Sequence, residues 1–202
     1  AAQSDFHAAL TAAQAHNDQK LCWQVLLDLG FLWTSRDFGC AGEYFQQALT
    51  LARSLGEPAT LAHTLNRIGN WHVNMGQPHE GRVYHAEALT LFQTLGDQAG
   101  VAATLDLLAG AVHFGGDLPQ GMALYQQAAT LFRTLGDRRG QSSSLSWLAF
   151  QDATALNLMV ALASPTACVQ LGTEALQIAR DIQWRPGEAF AMIGLAFAQG
   201  VH

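Results

Sequence analysis

The chain has 202 residues, half of them hydrophobic and only 13% charged, with a formal net charge of −6. Lysine occurs once, at Lys20, and the arginines are scattered, which argues against a phosphate-tracking surface and so against direct contact with nucleic acid. The sequence lacks the run of ~18 apolar residues that a membrane span needs, and residues 1–17 lack the basic start and apolar core of a signal peptide, so a cytoplasmic protein is expected.

In chain order, residues 1–17 read as half a repeat, one helix with Phe6, Ala9 and Leu10 facing inward. A first full repeat, 18–56, carries helices near 19–34 and 38–55. A second, 57–96, opens on Pro58, which suits a first helical turn, and its second helix runs over 78–95. The third, 97–136, is the most regular. Asp97 caps a helix whose apolar residues Val101, Leu105, Leu108, Ala109 and Val112 recur at helical spacing, and Gly115-Gly116-Asp117 ends it. Its second helix, from about 119 to 135, turns Met122, Tyr125, Ala128, Ala129 and Phe132 inward before Gly136 closes it and Asp137 caps the next. The fourth, 137–183, holds extra residues between Phe150 and Ala167, with Ser164-Pro165 as a helix start, and 184–202 reads as a final half repeat. The extra residues are expected to lengthen the preceding helix. They either fold back over the next pair or form a protruding contact surface.

The strings LTLARSLGEP (49–58), LTLFQTLGDQ (89–98) and ATLFRTLGDR (129–138) recur at intervals of forty positions, with weaker copies from Leu10 and Leu176. Such a period marks a solenoid, whose units bury their apolar faces only by stacking. Three columns run through all the units: Leu26, Leu65, Leu105, Leu145 and Met192; Leu29, Ile68, Leu108, Leu148 and Leu195; and the small residues Gly30, Gly69, Ala109, Ala149 and Ala196. A small residue there lets the second helix of the pair approach closely.

The pattern resembles the tetratricopeptide repeat in a long, forty-residue form. The unit with Leu65, Ile68-Gly69, His72, Gly76, Gly81, His85 and Ala88 is most similar, and NRIGNWHVNMG (66–76) looks like that family's first helix. Histidine replaces the family's aromatic residue at His72 and His85, and the closing proline is absent. The resemblance implies an all-α, right-handed superhelical solenoid of antiparallel helix pairs, about ten helices in all, whose first helices line a concave peptide-binding groove. It also implies a place within a larger signalling or transcription-regulating protein. A chain that starts and stops within repeats is expected to be a fragment of one.

First-helix residues outside the apolar columns are the expected groove. These are Phe31 in the first repeat; His63, Asn66, Asn70 and Asn74 in the second; Asp106 and His113 in the third; Phe150 in the fourth; and Phe197 in the last helix. Asparagine amides offer a peptide backbone both a donor and an acceptor, and aromatic rings supply anchoring area. The alternative is that the rings close the core and the asparagines are solvated surface. A second reading is a homodimer formed through the apolar last helix and through Leu156, Met159, Val160 and Leu162.

No catalytic motif and no cofactor or phosphate fingerprint is present, so a non-enzymatic scaffold is expected, with no metal and no cofactor. Cys22, Cys40 and Cys168 are far apart and read as reduced, buried thiols. His72 and His85 fall in facing core columns and are expected to pair across the helices. There they form either a plain hydrogen-bonded contact or a pH-sensitive one.

Overall fold

The computed structural model describes residues 2–157 and 165–199. Among these residues there are ten helices and no strand: α1 (Ala2–Ala15), α2 (Gln19–Trp33), α3 (Phe38–Leu55), α4 (Pro58–Asn74), α5 (Pro78–Leu95), α6 (Gln98–Phe114), α7 (Leu118–Leu135), α8 (Arg138–Asn157), α9 (Pro165–Asp181) and α10 (Arg185–Gln199). The chain divides into two compact units, Ala1–Asp97 and Gln98–His202. In the first, each helix from α1 to α5 packs on its neighbour in sequence. In the second, α6 to α10 do the same, and α8 also packs on α10.

The helix boundaries follow from local chemistry. Asp18, Asp37, Asp117 and Asp137 accept hydrogen bonds from backbone N–H groups in the first turns of α2, α3, α7 and α8. These side chains satisfy donors that a helix start leaves free. α4 and α5 have no such side-chain cap and begin on Pro58 and Pro78, which lack the N–H altogether. Second helices end on a left-handed residue: Gly56, Gly96 and Gly136, at φ of 67°, 70° and 74°. Asn17 and Gln183 hold the equivalent places at φ 55°, so the weak outer copies of the repeat keep the geometry without the glycine.

The repeat columns pack as small residue against ring. A Cβ on Gly30 would collide with the Phe45 ring, and one on Gly69 would come within 2.8 Å of the His85 imidazole. Forty positions further on, Ala109 and Tyr125 are buried in the same core cluster. In α9 the ring position is Gly172, and Leu195 of α10 fills that space, 2.8 Å from where a Cβ would stand.

One expectation about the later repeats changes here and one holds. In α10 the buried positions are Gly187, Ala191 and Gly194, with Leu195 half-buried, whereas Met192 is 54% exposed and Ala196 is exposed. The core columns therefore run one residue earlier than Met192 and Ala196. α8 has 20 residues against 17 in α4 and in α6, so the fourth repeat's first helix is longer. Met159, Val160 and Leu162 lie outside the described residues, as does the side chain of Leu156. Cys22 and Cys168 are buried, but Cys40 is only half-buried, at the start of α3.

Candidate peptide-binding surface

In the first unit, α4 carries His63, Asn66, Asn70 and Asn74 on successive turns, and the structure separates them. Asn70 and Asn74 are exposed. His63 is exposed with its ring edge-on to buried Phe92, centroids 5.0 Å apart. Asn66 is only 8% exposed, and its Oδ1 accepts from His85 Nδ1 at 3.1 Å. Its place as a surface donor is thus corrected: Asn66 faces the second helix of its own pair. The expected His72–His85 contact is replaced in the same way. His72 Nδ1 bonds Gln77 Oε1 at 2.8 Å, and its ring stacks on Tyr84 at 5.1 Å. Phe31 on α2 is 65% exposed, with the Arg67 guanidinium 5.8 Å from its ring centroid.

In the second unit, α6, α8 and α10 bring several rings together. Trp147 on α8 is the hub. Its ring is stacked on Tyr125 at 6.0 Å and meets Phe114, Phe150 and Phe190 edge-on at 6.1, 6.1 and 4.9 Å. Phe150 in turn meets Phe197 at 5.1 Å. Phe114 is 55% and Phe197 45% exposed, while Trp147 and Phe150 are half-buried. Phe150 and Phe197 were expected at the surface. Phe114, Trp147 and Phe190 are not among the residues expected from the sequence, although Trp147 stands one helical turn before Phe150 on α8.

Beside these rings stands Asp106 on α6. Its Oδ1 accepts from Ser144 Oγ at 2.5 Å, three residues before Trp147. Burial pushes its carboxyl up to about 6, and the Ser144 hydrogen bond pulls the other way. The Tyr125 phenol is raised well above its usual range, first by burial and then by the charge of Asp106. One turn beyond Asp106 the column that holds Phe31, Asn70 and Phe150 has Gly110. A Cβ there would meet the Tyr125 hydroxyl at 3.2 Å and no other heavy atom within 4 Å outside its own helix. Gly110 therefore leaves a notch over that hydroxyl. His113 follows on α6, half-buried, with its Nδ1 buried and without a partner and its imidazole pushed down by burial.

Small-on-ring packing, glycine-closed second helices and a forty-residue period are what a family comparison can test. The tetratricopeptide-repeat family model matches residues 60–134. Residues 60–134 are tetratricopeptide repeats. Such repeats are generally protein-interaction scaffolds. The fold of the rest of the chain is that of the same architecture. The signal-transduction ATPase with numerous domains from Pyrococcus horikoshii, described as having a tetratricopeptide-repeat sensor, superposes with a TM-score of 0.73 at 16% identity. That match covers 94% of this chain and 28% of the Pyrococcus one, so the repeats here span under a third of that protein's length. BtubC from P. vanneervenii superposes with a TM-score of 0.60 at 18% identity, over 99% of this chain and 71% of that one. No curated protein matches the sequence. None of the described helices is long and apolar enough to cross a membrane.

Proposed function

We propose that this tetratricopeptide-repeat chain is a non-enzymatic scaffold that binds a segment of another protein on the exposed face of its first helices. In this reading it belongs to a larger cytoplasmic signalling or transcription-regulating protein and touches no nucleic acid itself. The observation that carries the reading is the ring cluster of the second unit. Phe114, Trp147, Phe150 and Phe197 pack on one another yet stay partly exposed, and Trp147 stands one turn from Ser144, which bonds the half-buried Asp106 carboxylate. Aromatic anchors beside a few fixed polar groups are what peptide recognition uses. The first unit, taken by itself, offers exposed Asn70 and Asn74 and the Phe31–Arg67 pair as a second candidate surface.

The test is selection of displayed random peptides on the whole chain. Binding of the enriched peptides is expected to fall at least about ten-fold, the equivalent of 1.4 kcal/mol, in Phe150→Ala for those held by the second unit or in Asn70→Ala for those held by the first, while helix content is unchanged. Peptides indifferent to both changes contradict the reading.

A second reading, self-association, is favoured by α10, where Met192, Ile193 and Phe197 are all exposed. It predicts a concentration-dependent dimer that Met192→Glu returns to monomer, and a monomer at high concentration in sedimentation removes it.

A further inference from the structure

The ring cluster and Asp106 carry a more specific statement about the ligand, which rests on the peptide-binding reading above. We infer that the second unit takes a cationic side chain, arginine or lysine, of a partner peptide in the notch over Gly110, between the Asp106 carboxylate and the rings around Trp147.

Charge is the first argument. Among the described residues Asp106 forms no ion pair; the acids that do are Glu57, Glu174, Asp181 and Glu188. Residues 98–132 and 140–179 contain no lysine or arginine, so neither α6 nor α8 beyond its first turn can supply a counter-ion. The arginines near the second unit's other surfaces are occupied. Arg133 holds Glu174, Arg138 holds Asp181, and Arg139 lies over Trp184. A carboxylate half removed from water with one hydrogen bond gains from an incoming cation that can pair with it.

The rings are the second argument. A cation is attracted to an aromatic face, the more so where water is excluded. The first unit satisfies this attraction internally, with Arg67 over Phe31. In the second unit the cation–π contact among described residues is Arg139 with Trp184, away from Trp147. The third argument is shape. Where neighbouring repeats place Phe31, Asn70 or Phe150, this one has Gly110, and the floor of the gap is the Tyr125 hydroxyl. The notch thus has an acid one turn away on α6 and a phenol beneath it whose ring stacks on Trp147 at 6.0 Å.

The experiment titrates the whole chain with four capped pentapeptides, Gly-Gly-Xaa-Gly-Gly, in which Xaa is Arg, Lys, Gln or Glu. Amide and indole NMR shifts of Ser144, Trp147 and Gly110 are followed. The Arg and Lys peptides are expected to bind about ten-fold more tightly than the Gln peptide, and the Glu peptide more weakly still. Asp106→Asn should abolish that preference, and Gly110→Phe, which fills the notch, should abolish binding while the fold is unchanged by circular dichroism. If the Gln peptide shifts the same residues as strongly as the Arg peptide, the cation inference fails while the peptide-binding reading stands. If no peptide shifts them, the inference fails with the surface on which it rests. Equal binding to Asp106→Asn also overturns it.

Discussion

His85 Nδ1 donates to Asn66 Oδ1 at 3.1 Å between buried side chains, and this bond fixes the imidazole tautomer. The amide oxygen can only accept, so the proton sits on Nδ1 and Nε2 is left bare. Nε2 is buried without a partner, and burial pushes the imidazole down to about 4. The same two columns hold Leu27 with Phe45 in the first repeat and Asp106 with Tyr125 in the third. The repeats vary the pair together, apolar with apolar and polar with polar.

That matching predicts a non-additive exchange. His85→Phe alone leaves Asn66 Oδ1 without this donor and should cost about 1–3 kcal/mol. Adding Asn66→Leu reproduces the first repeat's pair and should recover most of the loss. A denaturation cycle in which the double variant is no better than the sum of its singles contradicts the pairing.

The two buried polar columns should respond to pH with opposite sign. His85 has a depressed folded pKa, about 4 against an ordinary 6.5. Its unfolded form takes a proton first, so its contribution is intact above pH 6.5 and is lost as pH falls toward 4. Asp106 has a raised folded pKa, about 6 against 3.8. The folded state holds its proton longer, so stability falls as pH rises from about 4 to 6. Hydrogen exchange should therefore show α4 and α5 losing protection between pH 6.5 and 4.5 relative to α6 and α8. Parallel loss in both units contradicts the assignment.

Asp106→Asn keeps the shape and removes the charge. It should stabilise the protein at pH 7.5 by about 3 kcal/mol, the displacement from 3.8 to about 6 converted at 1.36 kcal/mol per unit, and the gain should shrink toward pH 4. Thermal melts at the two pH values measure it.

Gln183 sits at φ 55°, where the equivalent residues are Gly56, Gly96 and Gly136. Gln183→Gly should raise stability by about 1 kcal/mol, since a left-handed conformation costs a side chain about 1–2 kcal/mol. Asn17→Gly should do less, because asparagine tolerates that region better. Gly81→Ala should do the reverse despite alanine's better helix propensity. Its Cβ would stand 2.5 Å from Val73 Cγ2 and 2.7 Å from the Gly69 carbonyl oxygen.

The helix order and most boundaries were legible because glycine, proline and aspartate punctuate the turns at a fixed period. α3 and α5 run over the spans expected for them. Asn66 was misplaced because helical spacing alone puts it in line with Asn70. Only its partner's identity, a polar His85 where the first repeat has Phe45, marks it as buried. The phase of α10 slipped by one residue for a related reason. The extra residues of the fourth repeat break the period, and EAFAMIGLAFA has almost no polar residue to say which face is outward. The role of Trp147 is not legible in the sequence because it lies in three rings from three other helices, which no local pattern displays.

The most direct test of the peptide-binding surface is chemical-shift mapping with a peptide selected from a displayed random library. The account predicts the largest changes on α6, α8 and α10, at Gly110, Trp147, Phe150 and Phe197. Changes confined to α7 and α9, on the side of Arg133, Glu174 and Gln177, would contradict it.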